Sequence, residues 1–493
     1  MTMAKGQTGK KLITGQPSFF SEEHLKKFIA LTIVLLISLW NFGTPFGSVA
    51  DENSYLHNGI YYVQKTIGAE TLIPNQTLSA INNSACFAFN PAISAKCQDQ
   101  IYGEKLVDSK PQGINLLHYP KIWFLATAWP SVLIQGDLGI ILSRLLASLM
   151  CLLPILLGIY FWKKSLQRLF LVLMFSLTPL ATSFMGGYNP NSLEIASSVG
   201  IALFLFGSKD LDWTKTKWFL FGVTVMLGSI PKPWSGVWPI SIVFGYLLME
   251  IALKKKVVPS NFLWKSVGIV TFGLLTSSYL SQAAMANNAT DFFGIVNLNV
   301  FHVTGRFLLD SYDYFSEYAG FFGWRDTHPA PWMEQVWLIT LFLLVSKGFL
   351  HLDRRKQLGL LGLWFFSIIL LPLVAFNFLI KFAAMGLQTR YVMPCFVLAI
   401  FVTSSLLHTK ITNFVVIAPA ILVVMNIVDY LWVLVRFAVG IPSPGFHFQE
   451  RISQIQAGNY WFPPAWLLVA GITLLILYLN KKIYSINKTK IDV

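Results

Sequence analysis

"FIALTIVLLISLWNFGTPFGSVADENSYLH" runs from Phe28 to His57. Its first twenty residues carry no charge, and as a helix they would cross a hydrocarbon core of about 30 Å. Two carboxylates, Asp51 and Glu52, follow almost at once. The same apolar pattern recurs along the chain. Candidate spans cover roughly residues 28–47, 138–162, 169–185, 192–208, 217–231, 236–252, 266–284, 334–350, 358–380, 391–408, 412–433 and 464–480. The pattern predicts an all-α polytopic membrane protein of about twelve transmembrane helices.

Composition agrees. Of 493 residues, 55% are hydrophobic and only 12% charged, where a soluble domain carries about 25%. The net charge of +14 does not point to nucleic acid, because Lys and Arg gather in the cytoplasmic loops of membrane proteins. With the N-terminus inside, 24 of the 37 Lys and Arg fall on cytoplasmic segments, although the outer loops are longer. Both termini are therefore expected in the cytoplasm, with the working face on the other side of the membrane. The first 27 residues are polar and the run after them is too long for a signal core, so the first span is expected to be retained. The chain divides into a cytoplasmic tail (1–27), one transmembrane domain (28–480) and a second cytoplasmic tail (481–493). Long outer loops at 48–137, 285–333 and 434–463 put extra mass on one side, where function is expected.

The first outer loop has structure of its own. Leu56, Ile60, Val63 and Ile67 follow Asp51 at spacings of four, three and four, one stripe of an amphipathic juxtamembrane helix lying along the membrane surface. "LLHYPKIWFLATAWP" (Leu116–Pro130) is aromatic-rich and interfacial. Cys86 and Cys97 are the only two outer cysteines, and an oxidising compartment favours a disulfide between them.

Four further stretches bring polar groups to the outer ends of spans. Asp51 and Glu52 read either as a helix cap or as a general base with a second acid; Asn53 and His57 stand beside them. "GGYNPNSLE" (Gly186–Glu194) is turn chemistry, and Asn189, Asn191 and Glu194 can line a cleft. "IPKPWSGVW" (Ile230–Trp238) holds Lys232 between two prolines. That cation either snorkels to the interface or meets an anion such as phosphate, flanked by Trp234 and Trp238. "AGFFGWRDTHPAPW" (Ala319–Trp332) offers Arg325 and Asp326, paired with each other or aimed together at an anion; His328 reads as a loop residue. "GLQTRYVMPCF" (Gly386–Phe396) carries Arg390 into an apolar helix beside Gln388 and Tyr391. Arg suits bidentate phosphate binding; an interfacial anchor is the other reading. His118 and Tyr119 complete the candidate cleft. Asp51, Glu52, His57 and His118 have donors for a divalent metal, but their spacing does not demand one. Nucleotide-binding and hydrolase fingerprints are absent.

Together, acids near the first span and cations at later breaks suit transfer from a lipid phosphate. The stretches "GTPFGSVADENSYLH", "HYPKIWFLATA", "MGGYNPNSLEIASS", "SIPKPWSGVWP", "FFGWRDTHPAPW" and "GLQTRYVMP" resemble, in order, a bacterial family of unknown function numbered 2142. That family is a member of the GT-C superfamily of membrane glycosyltransferases. The resemblance implies a GT-C fold in the bacterial inner membrane, a polyprenyl-phosphate sugar donor and an envelope glycan, lipid or protein as acceptor. It assigns the acid to Asp51, with Glu52 second, and the donor phosphate to Lys232 and Arg390, with Arg325 a further candidate. Ala50 stands where the family pattern has proline. The competing readings are a lipid-linked glycan flippase or secondary transporter, for which Arg144 is the clearest charge inside a span, and a polymerase or ligase acting on a lipid-linked oligosaccharide.

Overall fold

The computed structural model describes residues 22–68, 72–74, 77, 81, 84–100, 106–108, 119–209, 211–232, 235–254, 257–286, 305, 309, 316–374, 389–407 and 412–440. The expected span at 464–480, His118, Trp234 and Gln388 lie outside these residues.

The protein is an all-helical bundle. Its helices are α1 (Glu22–Gly43), α2 (Glu52–Ile67), α3 (Lys121–Thr127), α4 (Trp129–Leu133), α5 (Asp137–Phe161), α6 (Leu166–Ser176), α7 (Pro179–Gly186), α8 (Asn191–Phe206), α9 (Lys215–Ser229), α10 (Val237–Leu248), α11 (Ser260–Ala286), α12 (Met333–Leu350), α13 (Arg354–Phe365), α14 (Thr389–Leu406) and α15 (Thr412–Val439). Single π-turns extend α10 through Met249–Leu253 and α13 through Phe366–Leu370. One short antiparallel ladder pairs Leu72–Pro74 with Leu106–Asp108.

Helices stand at eleven of the twelve expected spans. Among the described residues six are long and apolar enough to cross a membrane, or seven if α6 and α7 count as one bent span. The count of twelve is therefore larger than the described helices support. The third expected span is broken: α6 and α7 meet at 75°. Thr178 starts α7 as an N-cap, its hydroxyl accepting from Ala181 N at 3.3 Å, with Pro179 in the first turn. Pro suits that position because the missing N–H has no partner to lose there.

At the centre lies α8. Each of its sixteen residues is buried, as expected of a helix that presents an apolar or small side chain all round. It packs on α5, α9, α10 and α14. Because α8 begins at Asn191, the polar N-terminal turn of the central helix opens at the same end of the bundle as residues 44–51.

Helix α2 forms where the apolar stripe predicts it, but its burial is wider than one stripe. Leu56, Ile60 and Val63 are buried, and so are Tyr55, His57, Asn58, Tyr62 and Gln64, while Ile67 is exposed. The helix packs along α3 and α4, with the rings of Tyr62 and Phe124 5.6 Å apart. The aromatic segment after Tyr119 thus supplies the other wall of α2; Trp123 and Phe124 are fully buried.

Candidate functional site

The site begins with the turn between α1 and α2. Gly47 has φ +83°, and a Cβ there would lie 2.3 Å from the Ser84 carbonyl oxygen, so glycine is needed on both counts. Asp51 is also left-handed, at φ 63°. That conformation is uncommon outside glycine and costs on the order of 1–3 kcal/mol unless the surroundings enforce it. Asp51 holds the N-cap position of α2, yet its side chain makes no capping bond. Its carboxylate instead accepts a hydrogen bond from Arg390 Nη2 at 2.6 Å.

Glu52, the next residue, faces the other way and is fully buried. Its carboxylate accepts from Gly47 N at 2.8 Å and Tyr188 N at 2.7 Å, and lies 3.0 Å from Arg144 Nε. Arg144 in turn donates to the Thr44 carbonyl at 2.9 Å and the Trp40 carbonyl at 3.4 Å. Those are carbonyls at the C-terminal end of α1, which lack intrahelical partners. Expected beside Asp51 as a second acid, Glu52 is built into the frame of the turn.

The "GGYNPNSLE" loop is the seat of that turn. Asn189 donates through Nδ2 to the Ala50 carbonyl at 3.0 Å. Its Oδ1 accepts from Asn191 N at 2.9 Å and Asn191 Nδ2 at 2.7 Å. Gly187 lies so close that a Cβ would meet Val49 Cγ2 at 2.6 Å. Asn191 passes the contact on, since its Oδ1 accepts from Lys232 Nζ. Lys232 also pairs with Glu194 at 2.8 Å, and the Ser235 hydroxyl donates to the same carboxylate.

Tyr391 joins the two cations. Lys232 Nζ lies 4.6 Å from its ring centroid and the Arg390 guanidinium 5.1 Å; both are cation–π distances. Arg390 Nη2 also donates to the Tyr391 hydroxyl at 3.2 Å. A continuous set of contacts thus runs Asp51, Arg390, Tyr391, Lys232, Glu194. The two cations differ in what remains open. The Lys232 ammonium is occupied by Asn191, Glu194 and the Tyr391 face. Arg390 is buried, and its Nε and Nη1 have no hydrogen-bond partner among the described residues. Buried guanidinium N–H groups without acceptors are costly, and they suit the oxygens of a phosphate or carboxylate.

Two phenols stand near this guanidinium. Tyr55 and Tyr119 place their hydroxyls 3.5 Å apart. Burial, the largest cause, pushes both phenols well above the ordinary tyrosine value, and Arg390 opposes the rise in each. Both stay protonated and neutral at physiological pH, able to donate.

The remaining candidates distribute unevenly. Arg325 and Asp326 do not pair with each other. Arg325 is left-handed, at φ 61°, and its guanidinium pairs with Glu317. Glu317 also accepts from the Thr389 hydroxyl at 2.6 Å, one residue from Arg390. Asp326 pairs with Arg436 at 3.2 Å, away from Arg390. His57 is buried on α2, and the His328 ring stands 4.5 Å from Phe321. Cys86 and Cys97 are disulfide-bonded. Among the described residues no group of three or more His, Cys, Asp or Glu side chains could hold a metal ion.

Sequence reasoning missed Tyr55, Glu317, Thr389 and Arg436 and gave Arg144 no local partner. One signal was available for the arginines: a charge inside an apolar helix requires a partner, and both Arg144 and Arg436 sit in such helices.

The family model described as predicted membrane protein DUF2142 matches residues 34–399. No curated protein matches the chain. Among solved structures, the chain is similar to ArnT from Cupriavidus metallidurans, a crystal structure bound to undecaprenyl phosphate. The identity is 10% and the TM-score 0.43, over 94% of this chain and 78% of that one.

Proposed function

The chain belongs to the DUF2142 family of predicted membrane proteins, and from that premise we propose that it is a GT-C-type glycosyltransferase. It transfers a sugar from a polyprenyl-phosphate donor to an envelope acceptor outside the bacterial inner membrane. The observation that carries this reading is the Asp51–Arg390 contact at 2.6 Å, together with the buried Nε and Nη1 of the same guanidinium, which have no hydrogen-bond partner among the described residues. The ordered motifs "GTPFGSVADENSYLH" through "GLQTRYVMP" support the superfamily assignment. The asymmetry of Lys and Arg supports cytoplasmic termini and an extracytoplasmic site.

In this reading Arg390 serves two anions. Nη2 holds the Asp51 carboxylate in place; a remaining N–H, on Nε or on Nη1, donates to the donor phosphate. The Asp51 carboxylate takes the proton from an acceptor hydroxyl as that oxygen bonds to the anomeric carbon. The bond from that carbon to the phosphate oxygen breaks, and the phosphate leaves with the electron pair. Its growing negative charge falls on Arg390. Lys232, with its ammonium engaged by Glu194, steadies Tyr391 against Arg390. Arg325 is about two-fifths exposed and paired with Glu317, which leaves it a secondary candidate for the donor. The transporter reading loses its clearest feature, because Arg144 is committed to Glu52 and the end of α1.

The test is turnover of purified protein in lipid with a polyprenyl-phosphate sugar. Asp51→Asn keeps the size and shape of the side chain and removes the base. Loss of about 10²–10⁴-fold is expected, with folded yield unchanged. Full turnover by Asp51→Asn would contradict the assignment.

A further inference from the structure

The disulfide takes no part in the chemistry above, yet its loop touches the acid-bearing turn. Cys86 and Cys97 close a loop of eleven residues' separation. Immediately after the second cysteine, Gln98 Nε2 donates to the Phe46 carbonyl at 2.7 Å and to the Ser84 carbonyl at 3.1 Å. One side-chain amide therefore ties both ends of the loop's base to the residue that precedes Gly47. Gly47 itself rests on Ser84 with no room for a Cβ.

The far side of the loop is clamped by Arg436, which is fully buried near the end of α15. Its guanidinium donates to the carbonyls of Phe87 at 3.0 Å, Asn90 at 3.1 Å and Ile93. It also donates to Asp326 Oδ2 at 3.2 Å and Thr327 Oγ1 at 3.3 Å. Arg436 thus locks the disulfide loop to the 322–327 turn, where Phe322 N donates to the Thr327 carbonyl at 2.8 Å. That turn meets the acid-bearing turn as well. Trp324 Nε1 donates to the Gly47 carbonyl at 3.1 Å, and Val49 bridges Gly323. The segment 46–50 is gripped from two sides, and one arginine holds both grips together.

We propose that Gln98 and Arg436 are positioning residues for Asp51, acting through the disulfide-closed loop, so that the oxidised Cys86–Cys97 pair preorganises the strained turn. The proposal rests on the reading of Asp51 as the base. The physical reason is that a left-handed aspartate persists only where its neighbours over-determine the backbone. Two neighbours, Gly47 and Val49, are fixed by the loops described above, while Glu52 and Asn189 fix the other side.

Backbone hydrogen exchange of the purified full-length protein tests this without any substrate. Three forms are compared in detergent: oxidised, reduced with a phosphine, and Cys86→Ser/Cys97→Ser. Gln98→Ala is the milder fourth arm, for the case in which loss of the crosslink unfolds the loop broadly. The expected result is exchange in segment 46–52 about tenfold faster on reduction and in Gln98→Ala, from loss of the hydrogen bonds Gln98 makes to Phe46 and Ser84. Binding of undecaprenyl phosphate as a probe should change less than about twofold, because Arg390 lies outside the grip, and kcat rather than KM should fall with a sugar-bearing donor. Faster exchange confined to 84–100, with 46–52 unchanged, overturns the proposal. An active Asp51→Asn would instead sink the reading of the base and leave the exchange result standing.

Discussion

Two aspartates hold the same position in front of a helix, and the fold treats them oppositely. Asp353 precedes α13 with φ −64° and ψ 155°, and its carboxylate accepts from Lys356 N at 3.0 Å. That is an ordinary N-cap, in which the side chain satisfies one of the first free amides of the helix. Asp51 precedes α2 with φ 63°, and its own side chain caps none of the first amides of α2; Ser54 N donates to Asn53 Oδ1 instead, at 2.8 Å. Its carboxylate goes to Arg390, 339 residues away. The fold thus accepts a strained backbone and gives up the Asp51 cap where an ordinary one was available. Such a combination marks the places where local rules give way to function.

The comparison can be broken at several strengths. The largest effect is expected at Asp51 itself, where Asp51→Asn removes turnover while Asp353→Asn leaves it intact. Equal losses in the two variants would show that the difference in geometry has no functional content; turnover measured side by side decides it. Next is the frame. Arg144→Met leaves Glu52 as a buried carboxylate without its cation, and loss of one partner of a buried pair costs about 3–5 kcal/mol. Chemical denaturation or thermal unfolding in detergent checks this. Third is the open edge of Arg390. Arg390→Lys keeps the charge but removes the fork, and polyprenyl phosphate affinity should fall about tenfold or more, read by titration of the purified protein. Near-equal affinity would assign the lipid phosphate to another group. The smallest effect belongs to the ordinary cap: Asp353→Ala should lower stability by about 0.5–2 kcal/mol with turnover unchanged.

Much of the fold was legible because hydropathy reports burial along a helix directly. Helices stand where the apolar runs predict them, from Glu22–Gly43 to Thr412–Val439. Hydropathy does not report a bend, and the Thr178–Pro179 break inside one apolar run divides an expected single span in two. Nor does it separate a central helix from a membrane-facing one, as α8 illustrates.

The site was legible at its charged ends and opaque in between. Asp51, Lys232 and Arg390 stand out as charges at the edges of apolar helices, and the structure links them through Tyr391, which meets both cations, and through the Asp51–Arg390 pair. Their pairings were not readable. Adjacency suggested Arg325 with Asp326, but the left-handed Arg325 backbone sends the two side chains to Glu317 and Arg436. Glu52 looked like the twin of Asp51. The left-handed backbone of Asp51 and the start of α2 at Glu52, however, send the two side chains apart, so one carboxylate meets Arg390 and the next enters the frame. Tyr55 gave no sequence signal beyond membership of α2; only packing against Tyr119 places it beside the guanidinium.

The most direct test of the central claim is a structure of the protein with a polyprenyl phosphate bound. A phosphate oxygen should lie about 2.7–2.9 Å from Arg390 Nε or Nη1, as in a charge-assisted pair, with Asp51 still held on Nη2 and its second carboxylate oxygen facing the anomeric position. A phosphate bound elsewhere, with Nε and Nη1 of Arg390 still unpartnered, would contradict it.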